Sequence, residues 1–332
     1  MKHFDNSKME ENKMLQCESV VIQLLKKNSF LIVLSMLFAL FLVLVTVPAR
    51  AQQPGQQTFA STEDAAHAFF VASQSEIDQN VLNILGPAGK DIVSSGDDVD
   101  DLDARISFVV KYQEMHRFVT EPNGNVTLVV GAENWPLPIP LVTKNGVWYF
   151  DTQAGKNEIL FRRIGKNEVA AIQACSDLVD AQKTYFARAP HGFANEYAQK
   201  LVSDKERHNG LYWDEAADEY ASPINPLIAS AYGKGPSDDN GDRYPFNGYF
   251  FRILTTQGPH APGEAKNFVV NGKMTAGFAF VAYPAEYRSS GVKSFIVSQT
   301  GVVYEKDLGP DTTKLAEAMT AYDPDSTWHK VQ

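Results

Sequence analysis

The 332-residue chain reads as an α+β protein: N-terminal helices and a curved antiparallel sheet, a long linking helix, then a C-terminal antiparallel sheet packed on a helix. Three observations predict this. Apolar residues recur every three to four positions before residue 115, Asn-Gly pairs separate alternating runs after it, and a helical pattern stands between two strand-rich regions. Hydrophobic residues at 44% and charged residues at 21% match globular averages, which excludes a disordered, collagen-like or multi-span membrane chain. The expected division is a signal peptide at 1–51, a linker at 52–57, an α+β domain at 58–153, a linking helix at 154–187 and a second α+β domain at 188–332.

Lys26 and Lys27 precede an uncharged apolar run, Ser29 to Val47, and the small residues Ala49 and Ala51 follow it. Basic, apolar and small-residue segments in that order form a secretory signal, so cleavage after Ala51 and a periplasmic or secreted product starting at Gln52 are expected; an uncleaved anchor is the alternative. Membrane contact is then confined to the segment before cleavage. The net charge is −10, and residues 1–51 hold six Lys/Arg and four Asp/Glu, leaving −12 on the remainder. Such a balance excludes a nucleic-acid partner, which needs a basic surface. Cys17 and Cys175 are the two cysteines, so the mature chain has no internal disulfide. Cys175 lies in a helical pattern with Val169, Ile172 and Val179 and is read as a buried thiol.

In the first domain, Ser61 or Thr62 caps a helix whose Ala65, Phe69 and Ala72 share a face, with His67 turned away. Ile77, Val81, Ile84 and Leu85 predict a second helix ended by Gly86-Pro87. The acidic stretch Ser94 to Asp103 departs from calcium-loop spacing and is read as a solvated loop capping a third helix, whose apolar positions are Ile106, Val109, Val110 and Met115. Strands follow at 117–121, 126–131, 139–143 and 147–151, with Asn123-Gly124 and Asn145-Gly146 as hairpin turns. The next helix, 157–187, carries an expected irregularity at Gly165 and a basic cluster of Arg162, Arg163 and Lys166, read as salt-bridging rather than anion-binding.

Beyond it lie a loop-rich region and a short helix at 224–231. Asp238, Asn240 and Asp242 are weak calcium candidates in a turn-rich loop, and a plain loop is preferred; no cofactor is expected. Strands are expected at 248–255, 267–270, 276–283, 294–297 and 302–304, and a helix at 312–321.

Several stretches carry a family resemblance: Phe59–Ala65, Leu85–Asp91, Trp135–Leu141, Trp148–Thr152, Arg162–Glu168, Gly248–Pro259, Phe278–Tyr287 and Gly301–Thr312. On these the chain resembles the exported bacterial family known as domain of unknown function 2950, which implies a secreted protein and supplies no activity. Helices followed by a curved sheet resemble the cone-shaped fold of the nuclear transport factor 2 superfamily. The order of the second domain, from Asn167–Ile172 through Tyr249-Phe250-Phe251 and Phe278–Pro284 to Gly301–Glu305, resembles the head of type IV pilin-like proteins. The pilin processing site is missing, which leaves an interaction surface rather than a polymer.

No G-x-S-x-G, H-E-x-x-H, paired C-x-x-C or P-loop occurs. The first functional reading is therefore a non-catalytic binding or assembly protein of the cell envelope, with an envelope protein or polymer as partner; the oligomeric state is left open. The alternative is a hydrolase of cell-wall or saccharide material, using His191, His208 or His260 with Glu264, Glu286 or Glu305. Candidate binding residues are Trp135 and Trp148, which with Tyr149 and Phe150 could form an aromatic pocket, together with Tyr249, His260, Tyr283 and Glu305. Aromatic core packing is the competing explanation for the strand residues.

Overall fold

A computed structural model describes residues 52–75, 77–94, 98–188, 195–204, 207–213, 221–231 and 244–332. The signal segment, His191 and the Asp238, Asn240 and Asp242 candidates lie outside the described residues. Among the described residues, no helix is long and apolar enough to cross a membrane. Residues 57–332 form one compact unit, within which buried side chains gather into two hydrophobic clusters.

Helix α1 (Thr62–Ser73) starts where the Ser61 hydroxyl accepts the Asp64 N–H at 3.0 Å, with Glu63 and Asp64 at the positive end of the helix dipole. Its Ala65, Phe69 and Ala72 are buried and His67 is exposed, as the spacing predicts. Helix α2 (Asp78–Leu85) buries Val81, Ile84 and Leu85. Ile77 does not share that face: it has extended backbone just before the helix and is 61% exposed. Gly86, with φ 76°, ends α2, and a single turn, α3 (Lys90–Val93), follows.

Helix α4 (Asp98–Glu114) corrects the sequence expectation about its buried face. Ile106 and Val110 point outward at 52% and 56% exposure, while Phe108 and Tyr112 are buried. The reason is aromatic: Phe108 meets Phe69 at 5.1 Å between centroids and Tyr112 stacks on Phe70 at 4.5 Å. Two rings bury more apolar area than two aliphatic side chains, so the aromatic row sets the helix rotation.

The first sheet is antiparallel: β1 (His116–Thr120), β2 (Val126–Val130), β4 (Leu141–Lys144) and β5 (Val147–Phe150) lie in that order, with β3 (Trp135–Pro136) also on β2. Lys144 pairs with Val147 across Asn145-Gly146, both at positive φ, the backbone a two-residue hairpin requires. Prolines alternate from the end of β3 onward, at Pro136, Pro138 and Pro140; Leu137 between the first two still donates to Leu128 O at 2.7 Å, and beyond it Pro138 and Pro140, lacking N–H groups, end the ladder.

Helix α5 (Thr152–Arg188) runs unbroken through Gly165, correcting the expected irregularity. A glycine inside a helix costs about 1 kcal/mol relative to alanine, less than the apolar burial on both sides returns. Its first turns touch the first cluster, where Gly155 lets Ile139 approach so closely that an added Cβ would lie 2.7 Å from it. Its second half buries Ala171, Ala174, Cys175, Leu178, Val179 and Tyr185 in the other cluster. Val169, expected on that face, is 68% exposed.

The second part opens with a parallel pair, β6 (Lys200–Val202) and β7 (Gly210–Tyr212), and a short helix, α6 (Pro226–Ser230). Then come β8 (Tyr249–Leu254), β9 (Thr256–Gln257), β10 (Lys266–Asn267), β11 (Val269–Val270), β12 (Lys273–Met274), β13 (Ala279–Pro284), β14 (Lys293–Ser298) and β15 (Val303–Asp307). Helix α7 (Thr312–Ala318), β16 (Ala321–Tyr322) and β17 (His329–Lys330) close the chain. The main sheet is antiparallel in the order β17-β15-β14-β13-β8. Every residue of β13 is buried, because α5 packs near one face and α7 near the other.

Two residues of the Arg162–Glu168 stretch lock α5 to this sheet. Glu168 Oε1 accepts the N–H groups of Val292 and Lys293 at 2.9 Å each, and Asn167 Nδ2 donates to the Ser290 carbonyl at 2.9 Å. Gly291 is required there because the Tyr249 hydroxyl occupies the space a Cβ would take.

Candidate functional site: an apolar cavity beside Trp135

The helices of the first part do not fill the space over their sheet. A cavity of about 210 Å³ remains, lined by Phe69 and Ser73 of α1, Val81 and Leu85 of α2, Ile92 and Val93 of α3, and Asp101, Ala104, Arg105 and Phe108 of α4. Trp135, Leu137, Pro138 and Ile139 supply the opposite wall, and Ile159 of α5 joins them. The proline alternation shapes that wall: Leu137 still donates to Leu128 O at 2.7 Å, the ladder ends beyond it, and Leu137 and Ile139 are buried among the apolar side chains of the first cluster. Exposed Ala104 and the 38%-exposed Trp135 place an opening between α4 and β3.

The polar groups around the cavity are mostly occupied. Arg105 pairs with Asp78 and donates to the carbonyls of Ser75 and Val93 at 3.5 Å each, joining α4 to α2, α3 and the segment between α1 and α2. The Ser73 hydroxyl donates to Phe69 O in its own helix at 2.8 Å. At the rim, Arg162 stands over the Trp135 ring, 5.6 Å from its centroid, donating to Glu158 Oε1 and Pro136 O at 2.7 Å each. Arg162 is therefore a salt-bridging and ring-covering residue, whereas Arg163 and Lys166 are exposed. A cavity so lined can take up an apolar group; its walls offer little to a fully charged one.

Of the candidate binding residues, Trp135 alone lines this cavity. Trp148 sits half-buried on β5 and exchanges two backbone hydrogen bonds of 2.8 Å with Phe59. Tyr149 and Phe150 are buried in the core. Tyr249 and Tyr283 are buried on opposite faces of the second sheet, since Tyr283 pairs in register with Phe250. Tyr249 donates to Lys293 O at 2.8 Å, and burial pushes its hydroxyl pKa up; Tyr283 reaches Glu317 Oε1 at 3.4 Å. Glu305 lies 3.5 Å from the Lys293 ammonium.

His260 has a carboxylate partner, Asp323, rather than the Glu264, Glu286 or Glu305 weighed from the sequence. Asp323 accepts the His260 backbone N–H at 2.8 Å and its ring Nδ1–H at 2.9 Å. A carboxylate acceptor puts the ring proton on Nδ1 in the neutral imidazole and leaves Nε2 as the acceptor. The hydrogen bond to Asp323, then its charge, raises the imidazole pKa. Gly258 is needed because Asp323 fills the space beside its Cα, and Gln257 Nε2 holds the loop through Pro262 O and Glu264 O at 2.9 and 2.7 Å. His208 lies edge-on to Trp213, 4.6 Å between centroids. Cys175 is wholly buried, and burial pushes its thiol up to about 12, an unreactive state near neutral pH. Among the described residues, no three His, Cys, Asp or Glu side chains gather where they could hold a metal ion.

Sequence reading missed Arg105, Ser73, Ile159 and Asp323. The Leu85–Asp91, Trp135–Leu141 and Arg162–Glu168 stretches signalled this region, as strings rich in Trp, Pro, Arg and Gly with structural roles. No curated protein and no solved structure matches the chain. A family model described as "Protein of unknown function (DUF2950)" matches residues 56–331, including every wall of the cavity and the stretches that lock α5 to the second sheet. The chain belongs to the DUF2950 family.

Proposed function

We propose that this chain is an exported, non-catalytic binding protein of the cell envelope, whose first part takes up an apolar group presented by an envelope protein or polymer. The apolar cavity beside Trp135 carries this reading. Export is supported by the basic, apolar and small-residue order of residues 26–51. The likenesses to the nuclear transport factor 2 cone and the pilin head belong to the same proposal. They are supported by the helices-then-sheet order of the first part and by α5 lying against an antiparallel sheet in the second.

The test is twofold. Fractionated cells producing the full chain should yield an exported form whose N-terminus is Gln52, and that form should enhance the fluorescence of N-phenyl-1-naphthylamine. Retention in the cytoplasm would refute export, and an unchanged probe would refute the cavity as a binding site.

A second reading, a hydrolase of cell-wall or saccharide material, is favoured by the His260–Asp323 pair, which fixes one tautomer as a general base requires. Hydrolysis of cell-wall fragments that disappears in His260→Gln, with the fold intact by circular dichroism, would establish it. Equal turnover by the variant would exclude His260 as the base.

A further inference from the structure

We propose that the cavity's occupant is a single medium-length acyl chain joined through a neutral ester or amide, its carbonyl oxygen accepting from Arg105. This rests on the cavity being a binding site and goes on to name what binds. A buried apolar void of roughly 150 Å³ takes up benzene, so about 210 Å³ holds an apolar chain of about eight carbons, and not a sugar or a peptide. Phe69, Val81, Leu85, Phe108, Leu137 and Ile139 give the chain apolar contact along most of its length.

Charge selects the head group. Arg105 lines the cavity and carries five N–H donors; its hydrogen bonds leave from Nη1 and Nη2, and its Nε–H has no partner among the described residues. Ser73 has spent its donor on Phe69, which leaves Arg105 and the rim Trp135 as side-chain donors for a carbonyl, and the charged guanidinium is the stronger of the two. Asp78 already neutralises the guanidinium, and Asp101, which has an interaction of its own, adds a negative charge to the same wall. A carboxylate would thus meet net negative charge in an apolar setting, whereas an ester or amide carbonyl accepts the hydrogen bond without importing charge. The opening between Ala104 and Trp135 lets the rest of the molecule stay in water.

The experiment measures displacement of N-phenyl-1-naphthylamine from the exported chain at pH 8 by methyl octanoate, sodium octanoate and methyl acetate, with the part of the tryptophan emission that Trp135→Phe removes as a second readout. Methyl octanoate should displace the probe about tenfold more tightly than octanoate, and methyl acetate should not compete. Arg105→Met should erase the preference for the ester over the acid, a change a merely structural role would not produce. Ala104→Trp, at an exposed helix position, should block the opening and weaken probe and ester together by at least about tenfold with an unchanged circular dichroism spectrum. Dioctanoylphosphatidylcholine below its micelle concentration separates the sources of the chain: competition assigns a lipid ester, and its failure beside a binding methyl octanoate assigns a small ester or amide. A probe that does not bind, or binds Ala104→Trp as well as the parent, would refute the cavity as a site. A probe that binds the parent alone but yields equally to octanoate, or to methyl acetate, would refute only the acyl ester.

Discussion

The two sheets of this protein are built alike and filled differently. In the second, β13 is buried at all six positions and β14 at five, and α5 and α7 pack near its two faces. In the first, β1 is half-buried or exposed throughout, the helices lie on one another as well as on strands, and a void of about 210 Å³ survives among them. An antiparallel sheet sandwiched by helices closes on itself through large aromatics, here Phe251, Phe280 and Phe295. A sheet whose cover is assembled from several separate helices and a proline-rich segment keeps unfilled space. The second part is thus a closed core, and the first keeps open volume between its elements.

The largest test of this contrast is truncation of one ring in each part. Phe280→Ala should cost about 4–5 kcal/mol of unfolding free energy, because a closed core cannot collapse onto the deleted ring. Phe69→Ala, at a wall that already borders empty space, should cost about 3 kcal/mol, the lower end of the same range. Urea unfolding of both variants gives the comparison, and equal costs would mean that the first core is as tightly filled as the second.

Removing the clamp between α5 and the second sheet comes next. Glu168→Ala leaves the N–H groups of Val292 and Lys293 without their acceptor and should cost about 1–3 kcal/mol in the same assay, with Glu168→Gln closer to the parent because its amide oxygen still accepts.

A smaller effect is expected at His260. Its folded pKa is raised above the ordinary value, so its contribution to stability is present in full below the unfolded value near 6.5 and is lost as pH rises through the folded one. Proton NMR should give a His260 midpoint above 6.5, returning to about 6.5 in Asp323→Asn. A midpoint unmoved by that substitution would break the pair.

The smallest effect belongs to the outward row of α4. Leu102→Gln, Ile106→Gln and Val110→Gln should each change stability by no more than about 0.5 kcal/mol, against about 3 kcal/mol or more for Phe108→Ala on the opposite face. A large loss from Ile106→Gln would show that this row is covered.

Local chemistry made much of this legible. The Ser61 cap, the Asn145-Gly146 turn, the apolar face of α1 and the apolar runs of β8 and β13 each depend on residues within a few positions of one another, and local pattern reports such arrangements directly. Asp323 was not legible as the partner of His260, because 63 residues separate them and the meeting depends on Gly258 leaving room. Nor was the rotation of α4: its sequence holds an aliphatic row and an aromatic row, and only the rings waiting on α1 decide between them.

By itself, then, the amino-acid sequence determined the α+β class, the positions of most helices and strands and the residues that mark the family, since these follow from short-range spacing and backbone preference. Tertiary structure alone decided which apolar row turns inward, which carboxylate meets the histidine and where volume is left unfilled. Those outcomes depend on competing contacts between segments distant in the chain, and apolar burial has no preferred direction until the opposing surface is in place.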